Sequence, residues 1–378
     1  MKIGLNGQKL LIESPAGPEK YTYNLYKTLS EIDKENNYTI FFNDQPKEGY
    51  FKELTSSNPN FKYKVINTPV LWTQLGLALE LIKSPVDIFF TPVHTIPMIR
   101  NKKTKFVTMI HGLEYKFTSG YKNPLVRLKI DRPVKYAVKQ SSKIIVPTKA
   151  TKDEILKRGW RKESDIEIVN EGVGSRFYKR SEEEVNIIRN KFGIGCDPYL
   201  LFVSTIQPRK NIPGMIEGFS LALREKKISQ DTKLLIAGKE GWDCEESLES
   251  PRKFEVENNV KFIGRVSDKD LPILFSGSSG FINCSFEEGF GLPLLEAMGC
   301  EVPCVVSNIP AFKEVGGDLP IYVDPKDRNS IKNGIVSILE NEYGMDRIRK
   351  AKERSERFTW ENTALKTLGV FQGVIKNS

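Results

Sequence analysis

The stretch GFINCSFEEGFGLPLLEAMGC, residues 280–300, reads as an apolar strand, a glycine loop and a helix in immediate succession. The run GFINC at 280–284 is short and apolar, the pattern of a strand buried on both faces. Gly289 and Gly291 let backbone come close to a ligand, and Pro293 suits the first turn of a helix. Free amides and the helix dipole at such a start favour an anion, and a diphosphate is the natural occupant. Glu288 in the loop and Glu296 on the helix stand eight residues apart. At about two helical turns they offer separate acceptors for two hydroxyl-bearing parts of one ligand, a sugar and a ribose. Taken alone, the same spacing also describes a solvated acidic loop with a glycine turn.

Outward from this stretch the strand and helix rhythm repeats. Before and after it lie YLLFVS at 199–204, KLLIAG at 233–238, VKFIG at 260–264, PCVVS at 303–307 and PIYVD at 320–324. An earlier series runs KIGLN at 2–6, YTIFF at 38–42, VDIFF at 86–90, FVTMI at 106–110 and KIIVP at 143–147. Near-continuous apolar strands separated by helices imply parallel sheets covered on both faces, so the fold class is α/β with two doubly wound, Rossmann-like domains. After DIEIVNEGV at 165–173 the charged run RSEEEVNIIRNKFGIG breaks the rhythm. The expected division is a first domain at 1–173, a linker at 174–195, a second domain at 196–357 and a final helix at 358–378. Ligands of such sheets bind at the carboxyl ends of the strands, which predicts a site where the two domains face each other across a cleft.

The chain has 378 residues, too many for one ordinary core. Hydrophobic residues make up 39% and charged residues 28%, which excludes a disordered chain. No stretch approaches the ~20 apolar residues that span a bilayer, and the start MKIGLNGQ lacks a leader pattern, so a cytoplasmic location is expected. The cysteines, Cys196, Cys244, Cys284, Cys300 and Cys304, form no disulfide framework and no CxxC pair. The two histidines, His94 and His111, lie far upstream of them, which disfavours a mixed cysteine and histidine metal site. A carboxylate-bound metal stays formally open.

The formal charge of +9 is concentrated, because residues 100–152 hold fourteen Lys and Arg against Glu114 and Asp131. A region this basic faces something anionic, and phospholipid or a diphosphate-linked acceptor fits best. Within it YKNPLVRLKIDRPVKYAVKQ, 121–140, interleaves Leu125, Leu128 and Ile130 with Arg127, Lys129 and Arg132. This is the composition of an interfacial segment on anionic lipid and equally of an ordinary solvated helix. Nucleic acid is disfavoured, since no binding module accompanies the charge.

The string GFGLPLLEAM after a buried strand resembles the signature of the family 4 retaining glycosyltransferases of the GT-B fold, of the bacterial polysaccharide or lipid-linked glycan type. YLLFVSTIQPRKNIPGMIEGF, 199–219, is similar to the family's strand, loop and helix at the donor diphosphate, with Arg209 and Lys210 as its cations. Many relatives carry a further arginine a few residues earlier, where this chain has Ser204 and Thr205. LLIAGKEG, VKFIGRVSDKDLPILFS and VPCVVSNIPAFKEVGGD resemble family segments in the same order. The opening MKIGLNGQKL resembles the family's start, except that SPAGPEKY, 14–21, replaces the glycine-rich turn and leaves Gly17. FVTMIHGLEY places His111 at a strand end and is similar to the family's His-Asp position, with Gly112 in place of the acid. A histidine there otherwise reads as a packed structural residue, and His94 in TPVHTIP keeps that reading.

The resemblance implies transfer of a hexose, mannose or glucose, from a GDP- or UDP-linked sugar to a glycan or lipid-linked acceptor, with retention and without a metal or other cofactor. It implies catalytic roles for His111, Arg209, Lys210 and Glu288. It implies donor contacts at Gly17, Arg209, Lys210, Gly264, Arg265, Val266, Glu288, Gly289, Phe290, Gly291, Leu292 and Glu296, with Arg265 readable also as a surface residue. The final helix is expected to cross back to the first domain, and the protein to lie in the cytoplasm, peripheral to the membrane. A sugar-nucleotide epimerase of the same fold and a non-catalytic nucleotide-sugar binder are the alternatives.

Overall fold

The computed structural model describes residues 1–12, 17–55, 58–117, 119–340 and 343–376, and places them in two α/β units. The first takes in 1–113, 120–172 and 359–378, and the second 114–119 and 173–358.

The first unit is built on seven strands: β1 (Lys2–Asn6), β2 (Asn37–Phe42), β3 (Phe61–Val65), β4 (Ile88–Thr91), β5 (Lys105–Met109), β6 (Lys143–Val146) and β7 (Ile166–Ile168). They pair in parallel in the order β3-β2-β1-β4-β5-β6-β7. The order reverses between β1 and β4, so the loops leaving their carboxyl ends diverge and open a crevice there. Ile3, Leu5, Ile40, Phe90, Val107 and Ile145 form its core with Tyr21, Leu25 and Leu29 of the helix Gly17–Ile32. The helix Trp360–Lys376 adds Ala364, Leu368 and Phe371 to the same core. It is anchored where Thr363 Oγ1 donates to the Asn170 carbonyl at 2.8 Å. Gly172 makes this approach feasible, since a Cβ there would sit 2.3 Å from the Trp360 amide nitrogen.

The second unit holds β8 (Tyr199–Val203), β9 (Lys233–Ala237), β10 (Val260–Gly264), β11 (Gly280–Asn283), β12 (Cys304–Ser307) and β13 (Ile321–Val323). All pairs are parallel, in the order β10-β9-β8-β11-β12-β13, with the reversal between β8 and β11. Two Rossmann-like sheets are therefore present, each with its own switch point.

Two features depart from the sequence reading. The segment 174–195 is no linker, because it belongs to the second unit and carries the helix Glu182–Phe192. Its charge misled, for Ser181 and Glu184 form a reciprocal capping box and Gly193 ends the helix in the left-handed conformation at φ 58°. Phe177, Ile188 and Ile194 meanwhile sit in the second unit's core. The strand β3 was not anticipated: FKYKV alternates, and only Phe61 is buried, as suits an edge strand with one wet face.

Candidate functional site

The crevice of the second unit gathers the charged residues singled out in the sequence. After β8 the chain makes a 3₁₀ turn at Pro208–Lys210, passes Asn211 at φ 54°, and enters the helix Ile212–Arg224. Asparagine tolerates this left-handed backbone better than most residues, and its side chain is tied down by donating to the Cys284 and Pro325 carbonyls at 3.1 and 2.7 Å. The turn is stitched to the loop after β11 where the Phe286 amide donates to the Arg209 carbonyl at 2.9 Å.

These restraints hold Arg209, Lys210 and Glu288 together, all buried. Arg209 Nη1 donates to Glu288 Oε2 at 2.8 Å and to the Glu287 carbonyl at 2.9 Å. Lys210 Nζ donates to Glu288 Oε1 at 2.5 Å. Ser285 Oγ lies 2.8 Å and Asn283 Nδ2 3.5 Å from the same oxygen. Burial pushes the Glu288 carboxyl up, but the charges of Lys210 and Arg209 and their hydrogen bonds outweigh it and hold it at about 2. Glu288 is thus a fixed anion between two fixed cations, a charge-assisted cluster with a net positive charge. Lys116, in the short turn Glu114–Phe117, pairs with Glu287 beside it.

Next to this cluster the helix Leu292–Gly299 begins at Gly291, whose φ of 97° favours glycine. A Cβ at Gly291 would also lie 2.6 Å from the Phe312 ring. Gly291, having no side chain, cannot itself cap this helix start. Glu296 is buried on the helix. Gly289 lies in the loop between, buried, and Leu292 packs on the core. The side chains of Phe290 and Val266 point into the core, Phe290 edge-on to Phe358 with ring centroids 5.9 Å apart. Both therefore offer backbone rather than side chain to any ligand. Gly264 ends β10 at φ 65°, and Arg265 follows it exposed.

A second cluster forms in the first unit, where His94 follows β4, His111 follows β5 and Glu171 follows β7. The His111 ring nitrogen Nδ1 lies 3.1 Å from Glu171 Oε1, and a carboxylate accepts, so the ring proton sits on Nδ1. Nε2 of His111 is buried and has no hydrogen-bond partner among the described residues. His94 Nε2 accepts the His111 backbone N–H at 3.2 Å. Burial first, then His111 and Lys9, bring the His94 pKa down to about 3, which keeps it neutral and able to accept. Tyr21 packs edge-on to His111 with centroids 4.8 Å apart. Gly17 opens the helix Gly17–Ile32, exposed, with nothing within 4 Å of a Cβ placed there. Ser14, Pro15 and Ala16 of the expected turn lie outside the described residues.

The sequence reading passed over Glu171, Asn283 and Ser285. Glu171 stands in DIEIVNEGV without a role assigned to it, although an acid directly before a glycine just past a strand's carboxyl end is itself a signal. Asn283 and Ser285 have no comparable signal, since their role depends on the position of Glu288.

Comparison with known proteins covers both units. Residues 15–175 match the model for Glycosyltransferase Family 4, and residues 184–357 that for Glycosyl transferases group 1. The O-antigen chain mannosyltransferase B of Escherichia coli is 27% identical over 268 residues, 70% of this chain and 70% of that protein. The O-antigen chain mannosyltransferase RfbU of Salmonella typhimurium is 27% identical over 274 residues, 72% of this chain and 69% of its own length. Among solved structures, Anabaena Alr3699/HepE in complex with UDP-glucose aligns over 99% of this chain and 100% of its own with a TM-score of 0.76. At 16% identity that likeness speaks for the fold alone.

Proposed function

The chain belongs to the family 4 glycosyltransferases of the GT-B fold, and from that premise we propose that it moves a hexose from a nucleoside-diphosphate sugar onto a glycan or lipid-linked acceptor in cell-surface polysaccharide synthesis. We infer retention at the anomeric carbon and independence of metal ions. The observation that carries the reading is the buried cluster of Arg209, Lys210 and Glu288 beside the helix Leu292–Gly299, which starts at Gly291.

Sugar transfer needs stabilisation of the negative charge that builds on the departing diphosphate. Arg209 and Lys210 are positioned cations in a water-poor crevice, and the amides near Gly289 to Leu292 add dipoles that need no reorganisation. Two fixed cations supply the charge that a divalent metal supplies elsewhere, which supports the metal-independent reading. Glu288, ionised and engaged on both oxygens, is a poor general acid and a poor nucleophile. It supports instead a route in which the leaving phosphate takes the acceptor proton, while Glu288 orients donor-sugar hydroxyls and Glu296 holds the ribose. Gly264, Arg265 and the backbone of Val266 border the base. On the first unit, Nε2 of His111 offers an acceptor to a sugar hydroxyl, and the family resemblance assigns Gly17 to the donor contacts.

The names of the relatives, both O-antigen chain mannosyltransferases, favour mannose over glucose as the sugar moved, so GDP-mannose and UDP-glucose are the donors to compare. The test incubates the purified chain with each of the two sugar nucleotides and a polyprenyl-diphosphate-linked glycan, with and without chelator. Nucleoside diphosphate and extended glycan should appear together, with an α-linked product from the α-linked donor and no loss of rate on chelation. Release of an altered sugar nucleotide without acceptor, or no turnover with either donor, would overturn the reading.

A further inference from the structure

Glu171 is a buried carboxylate to which the transfer chemistry described so far gives no task. It is 5% exposed, and among the described residues its side chain has one hydrogen-bond partner, Nδ1 of His111 at 3.1 Å. Taking a carboxylate out of water costs stability unless its partners offset the loss. The chain nevertheless holds this one from both sides. Asn170, just before it, donates from Nδ2 to the Pro147 carbonyl at 2.9 Å, and the Asn170 carbonyl accepts from Thr363 Oγ1 at 2.8 Å. Gly172, just after it, lies so close to the Trp360 backbone that no Cβ fits. The end of β7 is thereby tied both to the exit of β6 and to the helix Trp360–Lys376.

His111 is held as closely. His94 Nε2 accepts the His111 backbone N–H at 3.2 Å, which fixes the chain as it leaves β5. Tyr21, fully buried, stands edge-on to the imidazole at 4.8 Å between centroids, and Trp360 backs Tyr21 at 5.9 Å. Flipping the imidazole would carry Nδ1 away from Glu171 and forfeit that bond. A histidine that served packing alone would have its buried nitrogens satisfied. Here Nδ1 has a dedicated carboxylate, whereas Nε2 has no partner among the described residues and the side chain stays 12% exposed.

The bond to Glu171 decides what Nε2 can do. With its proton on Nδ1, a neutral imidazole presents a lone pair at Nε2 and nothing to donate. Such an atom receives a hydroxyl that donates and opposes a group that can only accept. We propose that Glu171 is a positioning residue that sets the hydroxyl specificity of the transfer: it keeps the proton on Nδ1, so that Nε2 of His111 accepts from one particular sugar hydroxyl. This deepens the proposed transfer and rests on it. The ligand chemistry is a sugar hydroxyl, carried by the sugar that moves or by the acceptor glycan. Glu171 acts on it through the imidazole alone. A deoxy sugar leaves Nε2 unpaired, and a deoxyfluoro sugar sets fluorine against its lone pair, so both are discriminated against.

The experiment assays transfer by the full chain with two sets of analogues. In one set each non-reacting hydroxyl of the donor sugar, and in the other each non-reacting hydroxyl of the acceptor's terminal sugar, is replaced by hydrogen or by fluorine. The quantity read is kcat/KM for the fluoro analogue relative to the deoxy analogue. Comparing this ratio between wild type and Glu171→Leu removes the effect of fluorine on the sugar's own reactivity, which both proteins share. At one position of one set the ratio should rise about tenfold in Glu171→Leu, because the released imidazole can then carry N–H at Nε2. The set that responds identifies whether the hydroxyl belongs to donor or acceptor. A Glu171 that only stabilised the fold would slow all analogues alike and leave the ratio unchanged.

Nitrogen-detected NMR of the same proteins without sugar reads which imidazole nitrogen carries the proton. Glu171→Gln, whose amide oxygen can still accept, covers the case in which the apolar variant unfolds, since its ratio has to follow whichever tautomer the spectrum shows. A wild type with the proton on Nε2, a ratio that stays the same at every position when the proton moves, or a ratio that moves while the proton stays overturns the proposal. A wild type that transfers the native sugar from neither donor overturns the transfer reading instead.

Discussion

Replacing Glu288 by glutamine keeps the side chain's shape and removes its charge, which isolates what the Arg209 and Lys210 cluster contributes to stability. The carboxyl is 9% exposed and holds a pKa of about 2 against an ordinary 4.5. Burial raises it, and the two cations more than compensate. At ~1.36 kcal/mol per pKa unit, the gap corresponds to about 3 kcal/mol. That agrees with the ~3–5 kcal/mol lost when one member of a buried ion pair is removed.

The pH dependence gives this figure a direction. The folded pKa lies below the unfolded one, so the stabilisation is complete above 4.5 and is lost as pH falls from there through about 2. Roughly half of it is gone at pH 3. Glu288→Gln should therefore be about 3 kcal/mol less stable than wild type at pH 7, about half that at pH 3, and close to wild type where Glu288 itself is protonated. Urea unfolding at a series of pH values measures this, read by hydrogen exchange at the β8 and β11 amides to isolate the second unit. An equal deficit at pH 7 and pH 3 would assign the loss to packing and refute the argument from charge.

Three further expectations follow from the same geometry. Lys210→Met should cut turnover by about 10²–10³-fold without unfolding the chain, and near-normal turnover in a transfer assay would remove Lys210 from the chemistry. With two histidines in the chain, nitrogen-detected NMR reads both rings directly: His94 should not titrate between pH 8 and 5, because its pKa is about 3, and Glu171→Leu, which removes the acceptor, should move the His111 proton off Nδ1. Since the His94 pKa is depressed, the first unit loses stability as pH falls below the ordinary 6.5, and a His94 titrating near that value contradicts its burial. Gly172→Ala should destabilise the first unit by about 1–3 kcal/mol through the clash with Trp360, seen as an earlier loss of helix Trp360–Lys376 protection in hydrogen exchange.

Most strands were legible because a parallel sheet covered on both faces writes itself as apolar runs, and YLLFV, KLLIA and CVVS are such runs. FKYKV escaped for the converse reason, since an edge strand with one wet face carries lysines where an interior strand carries valines. The segment 174–195 was misjudged because composition weighs all side chains alike. Phe177, Ile188 and Ile194 are few, yet they are the ones that face the core, and the acids between them cap a helix.

The site shows the same division between position and direction. Glycine loops and the spacing of Glu288 and Glu296 mark where backbone meets ligand, because that information is local. Whether Val266 and Phe290 turn inward is not local, and both pack in the core. Least local of all is the meeting of Glu288 with Arg209 and Lys210 across 79 and 78 residues. It exists because β8 and β11 are neighbours in the sheet although β9 and β10 intervene in the chain. The reversal of strand order at that point lets the two loops diverge above the strands yet keep their charged tips in contact. The physical origin of the cluster is thus the sheet's topology, and a family motif can name its members without revealing that one anion is clamped by both cations. That clamp has a consequence for the proposed reaction. A diphosphate entering beside Glu288 competes with it for the same two cations, so donor affinity should rise on Glu288→Gln even as sugar orientation, and with it turnover, falls. Loss of donor affinity together with turnover would instead place Glu288 among the groups that hold the donor.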